Sequence, residues 1–440
     1  MKSLVSRLFL RLLAIGLTVT STFGAEFLIH DGDRVVFLGD SITEQRLYTT
    51  YIEAYALTRH PQWKLWFRNV GWGGDTSWLR QRSHPDEAKL FAADEAAQQK
   101  MVEDSVRHGL ERDVLPLKPT LVTVKFGMND HSYQAFREDI FKAYVRSQTE
   151  IAQVLKANGA RVAFLTPQAI EDKRPDPDQD VRNQSLRKFS DGLKEVAAKE
   201  GATFIDQFDP YMTMLLRERS NSPGGFVGGG NAVHPGPIGH TVMAWAVLKG
   251  MAASSLVSRV TIEATGSKAS CEGCAVEGLR VTGNTINFDR KDEALPMPID
   301  EKAVSALKLA PILEDLDRYE LQVTGLPAGA YELSIDGKPV GKATSEELAK
   351  GWNIANESGP VTEQARRVLS LVFHKNNLYF NRWRNVQLYT FPEWARIPEL
   401  ESRRASELAG LDKQIEEDEA EIDSVRKPLP HHFELKPTAP

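Results

Sequence analysis

The stretch Arg34-Val-Val-Phe-Leu-Gly-Asp-Ser-Ile-Thr43 decides how this chain is read. An unbroken run of branched and aromatic residues stops at Gly39-Asp40-Ser41. Runs this short, without polar alternation, suit a strand covered on both faces. Four more follow: LWFRNV (65–70), TLVTVKFG (120–127), RVAFLT (161–166) and ATFIDQF (202–208). Helical patterns lie near 47–59, 95–112, 134–157, 180–200 and 238–255, two of them closed by Asn158-Gly159 and Glu200-Gly201. Strands alternating with helices predict a five-stranded parallel sheet in a three-layer α/β/α domain over residues 30–256. Ligands of such sheets bind beyond the C-terminal strand ends. Residues 39–43 stand at one of those ends.

Past residue 257 the pattern shortens and alternates. VTIEA, GLRVTG, TINFD, YELQVTGLPAGAYELSIDGKPVG and RVLSLVF read as strands of a small antiparallel β-rich domain reaching to 392. Helical pieces near 300–308 and 345–350 interrupt it. Residues 393–440 read as a charged helix and a loosely packed Pro-rich tail. Leu408, Leu411, Ile415, Ile422 and Val425 have heptad spacing, but Asp418 occupies a seam position, which favours a helix lying across its own protein over a zipper. No internal repeat is present.

Composition narrows the function classes. The 440 residues are 41% hydrophobic and 26% charged, with a formal net charge of −6. That mixture is ordinary for a globular protein and offers no basic stripe for nucleic acid. Lys2, Arg7 and Arg11 precede the apolar run Leu12–Val19 and the small residues Thr22 and Gly24. Residues 1–24 therefore read as a signal peptide and predict an exported protein, periplasmic or secreted, with no stable membrane insertion after cleavage. An uncleaved N-terminal anchor is the alternative. The two cysteines, Cys271 and Cys274, lack the neighbours of a zinc site and suggest a local disulfide.

Four segments carry the chemistry. Ser41 follows a buried strand directly and enters a helix, at the rim where its hydroxyl meets solvent. Asn69-Val-Gly-Trp-Gly-Gly74-Asp75-Thr76 ends the second strand, and its glycines let a backbone N–H approach a ligand. Gly127-Met-Asn129-Asp130 ends the third. His234-Pro235-Gly236 precedes an apolar helix containing His240. Each segment alone has a plain structural reading as a turn or a cap. All four fall where they can converge on one crevice.

Together, GDSIT (39–43), N-x-G-x-G-G-D-T (69–76), G-M-N-D (127–130) and V-H-P-G-P-x-G-H (233–240) resemble the SGNH (GDSL-like) hydrolase family over about residues 34–255. The resemblance implies a flavodoxin-like sheet and a serine ester hydrolase working through an acyl-enzyme, without metal or organic cofactor. It implies Ser41 as nucleophile and His234 as base, with the Ser41 and Gly74 N–H groups and the Asn129 amide as oxyanion hole. One position departs. Where the family has an aspartate three residues before the histidine, this chain has Asn231. An amide oxygen can still hold an imidazole, with less help for its charged form. A weakened triad, a Ser-His dyad and a non-catalytic ligand- or glycan-binding protein are the readings this leaves. Asp206 and Asp209 are candidate substitutes.

Export, a β-rich appendage and tryptophans near the second motif suggest a carbohydrate or small-molecule ester, O-acetyl groups included. A lipid-directed esterase is the near alternative. Trp66, Trp72 and Trp78 are candidate sugar platforms, as are Trp352 and Trp383, although packing explains them equally well. His131 and Tyr133 are candidate substrate contacts, and Asp40 and Asp130 read as turn-fixing carboxylates. Oligomeric state is not legible in the sequence.

Overall fold

The computed structural model describes residues 26–221 and 224–438; the predicted signal peptide lies outside them. Strands β1 (Arg34–Gly39), β2 (Trp66–Asn69), β3 (Leu121–Lys125), β4 (Arg161–Leu165) and β5 (Thr203–Ile205) form one parallel sheet in the order β2-β1-β3-β4-β5. The order reverses beside β1, so β1 and β3 open a crevice at their C-terminal ends. Seven helices serve this sheet: α1 (Ser41–Glu44), α2 (Leu47–Arg59), α3 (Glu95–Asp113), α4 (Glu138–Ala157), α5 (Val181–Glu200), α6 (Phe208–Glu218) and α7 (Pro237–Gly250). Helices α2, α6 and α7 cover one face through residues such as Tyr48, Ile52, Met212 and Val247. Helices α3, α4 and α5 cover the other through Val106, Leu110, Ile151 and Leu193. The expected α/β/α layering is present, with every β1 residue from Val35 to Leu38 at most 1% exposed.

The second half holds a two-sheet sandwich and a helical pair. Strands β6 (Leu256–Glu263), β7 (Lys268–Glu272), β8 (Cys274–Thr282), β9 (Thr285–Asp292), β10 (Arg318–Thr324), β11 (Ala330–Ile335), β12 (Lys338–Thr344), β13 (Trp352–Asn353) and β14 (Pro430–Pro437) form sheets of order β13-β10-β6-β7 and β12-β11-β14-β9-β8. Their shared core includes Val260, Leu321, Phe288, Leu333 and Phe433. The sandwich is not purely antiparallel as expected, since β10 runs parallel to β6. Cys271 and Cys274 stand as free thiols rather than a disulfide, with Cys274 Sγ donating to the Arg259 carbonyl at 3.5 Å.

Two further expectations are corrected. RVLSLVF is no strand but part of α8 (Pro360–Phe380), which buries Val361, Ala365, Val368, Leu369, Val372 and Tyr379 at helical spacing. The seven-residue window was too short to show that period. The Pro-rich tail is no loose end: β14 lies between β11 and β9, with Phe433 and Leu435 fully buried. Its alternation of buried and open residues is hidden in the sequence by flanking prolines. Between them, α9 (Pro398–Val425) folds back antiparallel on α8, with Gln364 donating to the Val425 carbonyl and Arg382 paired to Asp412.

This hairpin packs into the core of the α/β domain. Leu369 and Val372 join the α2 side, while Tyr379, Trp383 and Ile415 join the α3 side. A fully buried Lys375–Glu53 ion pair fixes α8 to α2, and Asn376 donates to Thr50 and Glu53. Breaking such a pair strands a charge in a dry interface, so the contact resists partial opening. Because β14 is central, Phe433→Ala is expected to cost about 3–5 kcal/mol, read as a lower urea midpoint. A loss under about 1 kcal/mol would contradict the strand's central role.

Candidate functional site

Ser41 opens α1 immediately after β1. Asp40 caps that turn, its Oδ1 accepting from the Ile42 N–H at 2.9 Å. The loop after β2 is drawn against the same turn by Asn69, whose amide donates to the Thr43 carbonyl at 2.7 Å and to Thr49 Oγ1 at 3.0 Å. Gly71 allows the approach: a Cβ there would fall 2.3 Å from the Glu44 nitrogen. Two residues on, a Cβ at Gly73 would lie 4.0 Å from Ser41 Cβ and 2.7 Å from a Glu44 carboxylate oxygen. Gly74 follows with φ 76°, a conformation in which a side chain is strained. Arg80 holds its carbonyl at 2.6 Å.

Asn129 closes the second side. Its Nδ2 donates to the Asp75 carbonyl at 2.8 Å, and its Oδ1 accepts from Tyr133 OH at 2.9 Å. These partners fix which end of the amide is the donor, leaving the second N–H of Nδ2 for another acceptor. Ser132 and Tyr133 both have positive φ, 53° and 55°, a costly backbone for non-glycine residues that persists only where surroundings impose it. Tyr133, 40% exposed, thus touches Asn129 directly and still faces solvent. Asp130 braces the loop from beneath, accepting from the Ser77 and Gly127 N–H groups at 2.8 and 2.9 Å. Burial pushes its carboxyl up to about 6. His131 is buried with Nδ1 on the Gly127 carbonyl, and burial lowers it to about 4.

His234 Nε2 lies 2.7 Å from Ser41 Oγ. The contact joins residues 193 positions apart and brings together the two side chains singled out in the sequence. What holds the histidine is its backbone. Its N–H donates to Asn231 Oδ1 at 2.9 Å, and its carbonyl accepts from the Asn231 N–H at 2.9 Å. The preceding carbonyl, of Val233, accepts from Gln168 Nε2 at 2.9 Å. The following one, of Pro235, accepts from Gln45 Nε2 at 3.4 Å.

Both amides are themselves anchored. Gln168 takes a 2.9 Å bond from Lys125 Nζ, and Gln45 a 3.2 Å bond from His240 Nε2. His240 Nδ1 accepts from the Tyr48 N–H at 3.2 Å, so its two nitrogens have opposite roles and the ring is neutral. Burial agrees, pushing His240 down to about 3. His240 is therefore a brace, not a second base. Lys125 and Asp40 are both fully buried, and burial lowers the ammonium while raising the carboxyl, each offset in part by the other's charge.

Asn231 sits differently from the orienting role expected of it. Its Oδ1 accepts from the backbone N–H groups of Val233 and His234 at 3.0 and 2.9 Å, an Asx-type turn. The oxygen that was to hold the imidazole is thus engaged on the main chain. Asp206 is likewise occupied, accepting from Thr166 Oγ1 and the Phe208 N–H, and Asp209 pairs with Arg187 at 2.7 Å. Neither has a hydrogen bond to His234 among the described residues.

The five tryptophans singled out in the sequence are buried or half-buried against other side chains. Arg34 and Arg68 lie 3.7 and 4.2 Å from the Trp66 ring. Arg384 lies 3.6 Å from Trp72, and Trp383 meets Trp72 edge-on. Trp78 and Trp383 are 1% and 2% exposed, while Trp352 is packed close against Gly341. Sequence reading missed Lys125, Gln168, Gln45 and Arg384. Lys125 left one signal, a lone cation inside an otherwise apolar strand.

Residues 37–242 match the model of the GDSL-like lipase/acylhydrolase family. Among solved structures the chain is similar to a gut microbial diltiazem-metabolizing enzyme, with TM-score 0.73 and 24% identity over 93% of this chain and 98% of that one. That likeness extends through the sandwich and the helical pair. A mutant of an acetyl-xylooligosaccharide esterase from Geobacillus matches at TM-score 0.39 and 20% identity, over 51% of this chain and 96% of that one. An α/β hydrolase from the metagenome of Lake Arreo, Spain, gives TM-score 0.39 and 19% identity, over 52% and 98%. No curated protein matches the sequence. If Asn231 works on the backbone, Asn231→Ala should lower stability by about 1 kcal/mol, the usual cost of a lost side-chain cap. Asn231→Asp should be near neutral. Equal urea midpoints for wild type and Asn231→Ala would contradict that role.

Proposed function

From a domain of the GDSL-like lipase/acylhydrolase family over residues 37–242, we propose that this protein is a serine ester hydrolase acting through an acyl-enzyme. The observation that carries the reading is the 2.7 Å contact between Ser41 Oγ and His234 Nε2. In the proposed reaction Ser41 Oγ attacks the ester carbonyl while His234 accepts its proton. The tetrahedral oxyanion is met by the Ser41 and Gly74 N–H groups and by the free N–H of Asn129. His234 then protonates the departing alcohol. Water attacks the acyl-Ser41 carbonyl, giving its proton to His234, and collapse releases the acid and restores the serine.

Support for the histidine's orientation comes from the backbone clamp rather than a neighbouring carboxylate. The buried Asp40 lies one residue before the nucleophile. For the alcohol part the proposal takes a cleft of about 540 Å³ between α8 and residues 299–302, whose lining includes Pro237 at the start of α7 but neither Ser41 nor His234. Asp300, Glu301, Lys302, Arg366 and Phe373 line it, a mixture suited to a polar alcohol such as a carbohydrate or a small molecule. Among the described residues no helix is long and apolar enough to cross a membrane.

The second reading, a non-catalytic binding protein, is favoured by one observation: Asn231 brings no charge to His234. Turnover of p-nitrophenyl acetate separates the two. The wild type should release p-nitrophenol faster than Ser41→Ala by at least about 10³-fold; equal slow release means the hydrolase reading fails. Tyr133→Phe should lower kcat about tenfold with little change in KM, because it frees the Asn129 amide to turn. An unchanged kcat would remove Tyr133 from the account.

A further inference from the structure

A residue from the far end of the chain meets both segments that flank Ser41. After α8 the backbone continues through a π-helical turn, Asn381–Gln387, a distortion that often accompanies functional sites. Arg384 on this turn lays its guanidinium 3.6 Å from the Trp72 ring, in the loop after β2. Its Nε lies 3.7 Å from Glu44 Oε1, in the helix that Ser41 begins. Glu44 in turn puts a carboxylate oxygen 2.7 Å from the point where a Gly73 Cβ would be, and Ser41 Cβ is 4.0 Å from that point. One guanidinium therefore touches both loops that frame the nucleophile.

The surroundings hold it there. Trp383 packs edge-on against Trp72 at 5.9 Å, and Arg46 lies 4.1 Å from the Phe380 ring while donating to Asn377. The Arg384 and Glu44 side chains remain 28% and 25% exposed, so solvent reaches the pair. At 3.7 Å they make no full hydrogen bond and keep donor and acceptor capacity. An apolar chain lying along this side of Ser41 would have to strip water from an ion pair without replacing its hydrogen bonds, which is unfavourable.

Resting on the serine esterase reading above, we propose that Arg384, paired with Glu44 over Trp72, is a specificity-determining residue that restricts the acyl group to acetyl or a similarly short acyl chain. The C-terminal helical pair then has a function in the site: it carries the wall that sets acyl length. The same wall disfavours long-chain lipid esters as substrates. Arg384→Met keeps most of the side-chain volume and removes the charge, turning the wall apolar. Arg384→Lys keeps a cation near Glu44.

The test is an acyl-length series of p-nitrophenyl acetate, butyrate and hexanoate on purified full-length wild type, Arg384→Met, Arg384→Lys and Ser41→Ala. Wild-type kcat/KM should fall at least tenfold from acetate to hexanoate. Arg384→Met should reduce that ratio at least fivefold, and Arg384→Lys should stay nearer the wild type. A wild type that prefers hexanoate overturns the proposal even if Arg384→Met fails to fold. So does a ratio that Arg384→Met leaves unchanged. Either result leaves Ser41-dependent turnover, and the esterase reading, standing. Release that Ser41→Ala does not diminish on any ester fails both.

Discussion

The short contact between Ser41 and His234 depends on a clamped backbone. Among the described residues the hydrogen bond to the imidazole comes from Ser41. Instead the peptide groups around His234 are tied down on every side, by Asn231 at its own N–H and carbonyl, by Gln168 before it and by Gln45 after it. Those amides rest on Lys125 and His240, both buried at the junction of β3, α2 and α7. The sheet order makes this possible, since it brings the ends of β1 and β3 side by side and lets α7 cover them. Orientation that a triad obtains from one carboxylate is here distributed over several neutral hydrogen bonds.

Distribution has an electrostatic consequence. A carboxylate beside the histidine would favour the imidazolium formed when Ser41 attacks. Neutral amides on the main chain hold geometry but supply little of that charge. In the proposed reaction this places more of the burden on the oxyanion side, where Asn129 is fixed by Asp75 and Tyr133 and where the strained Ser132-Tyr133 backbone is held.

The architecture of the first half was legible because its strands are short, apolar and bounded by turn residues. Three of the motifs could be placed at strand ends, and the fourth before the last helix of the domain, for the same reason. Asn231 was visible as a departure, but not its partner, because an asparagine three residues before a histidine can serve ring or main chain equally well. The helix at 360–380 was misread where a strongly apolar heptapeptide outweighed its context. Strand β14 was masked by prolines, and only its pairing with β9 and β11 reveals it. Arg384 was beyond reach of any local pattern, since its meaning lies in contacts with Glu44 and Trp72 more than three hundred residues away. Long-range side-chain placement is set by tertiary packing, which short windows do not contain.

The central claim is that Ser41 is a nucleophile activated by a backbone-clamped His234. Covalent labelling tests it most directly. The protein is treated with a fluorophosphonate, which is stable toward ordinary serines, and the modified peptide is found by mass spectrometry. The account predicts a single adduct on Ser41, absent in Ser41→Ala and formed much more slowly in His234→Ala. No adduct, or one that forms equally fast without His234, would contradict it.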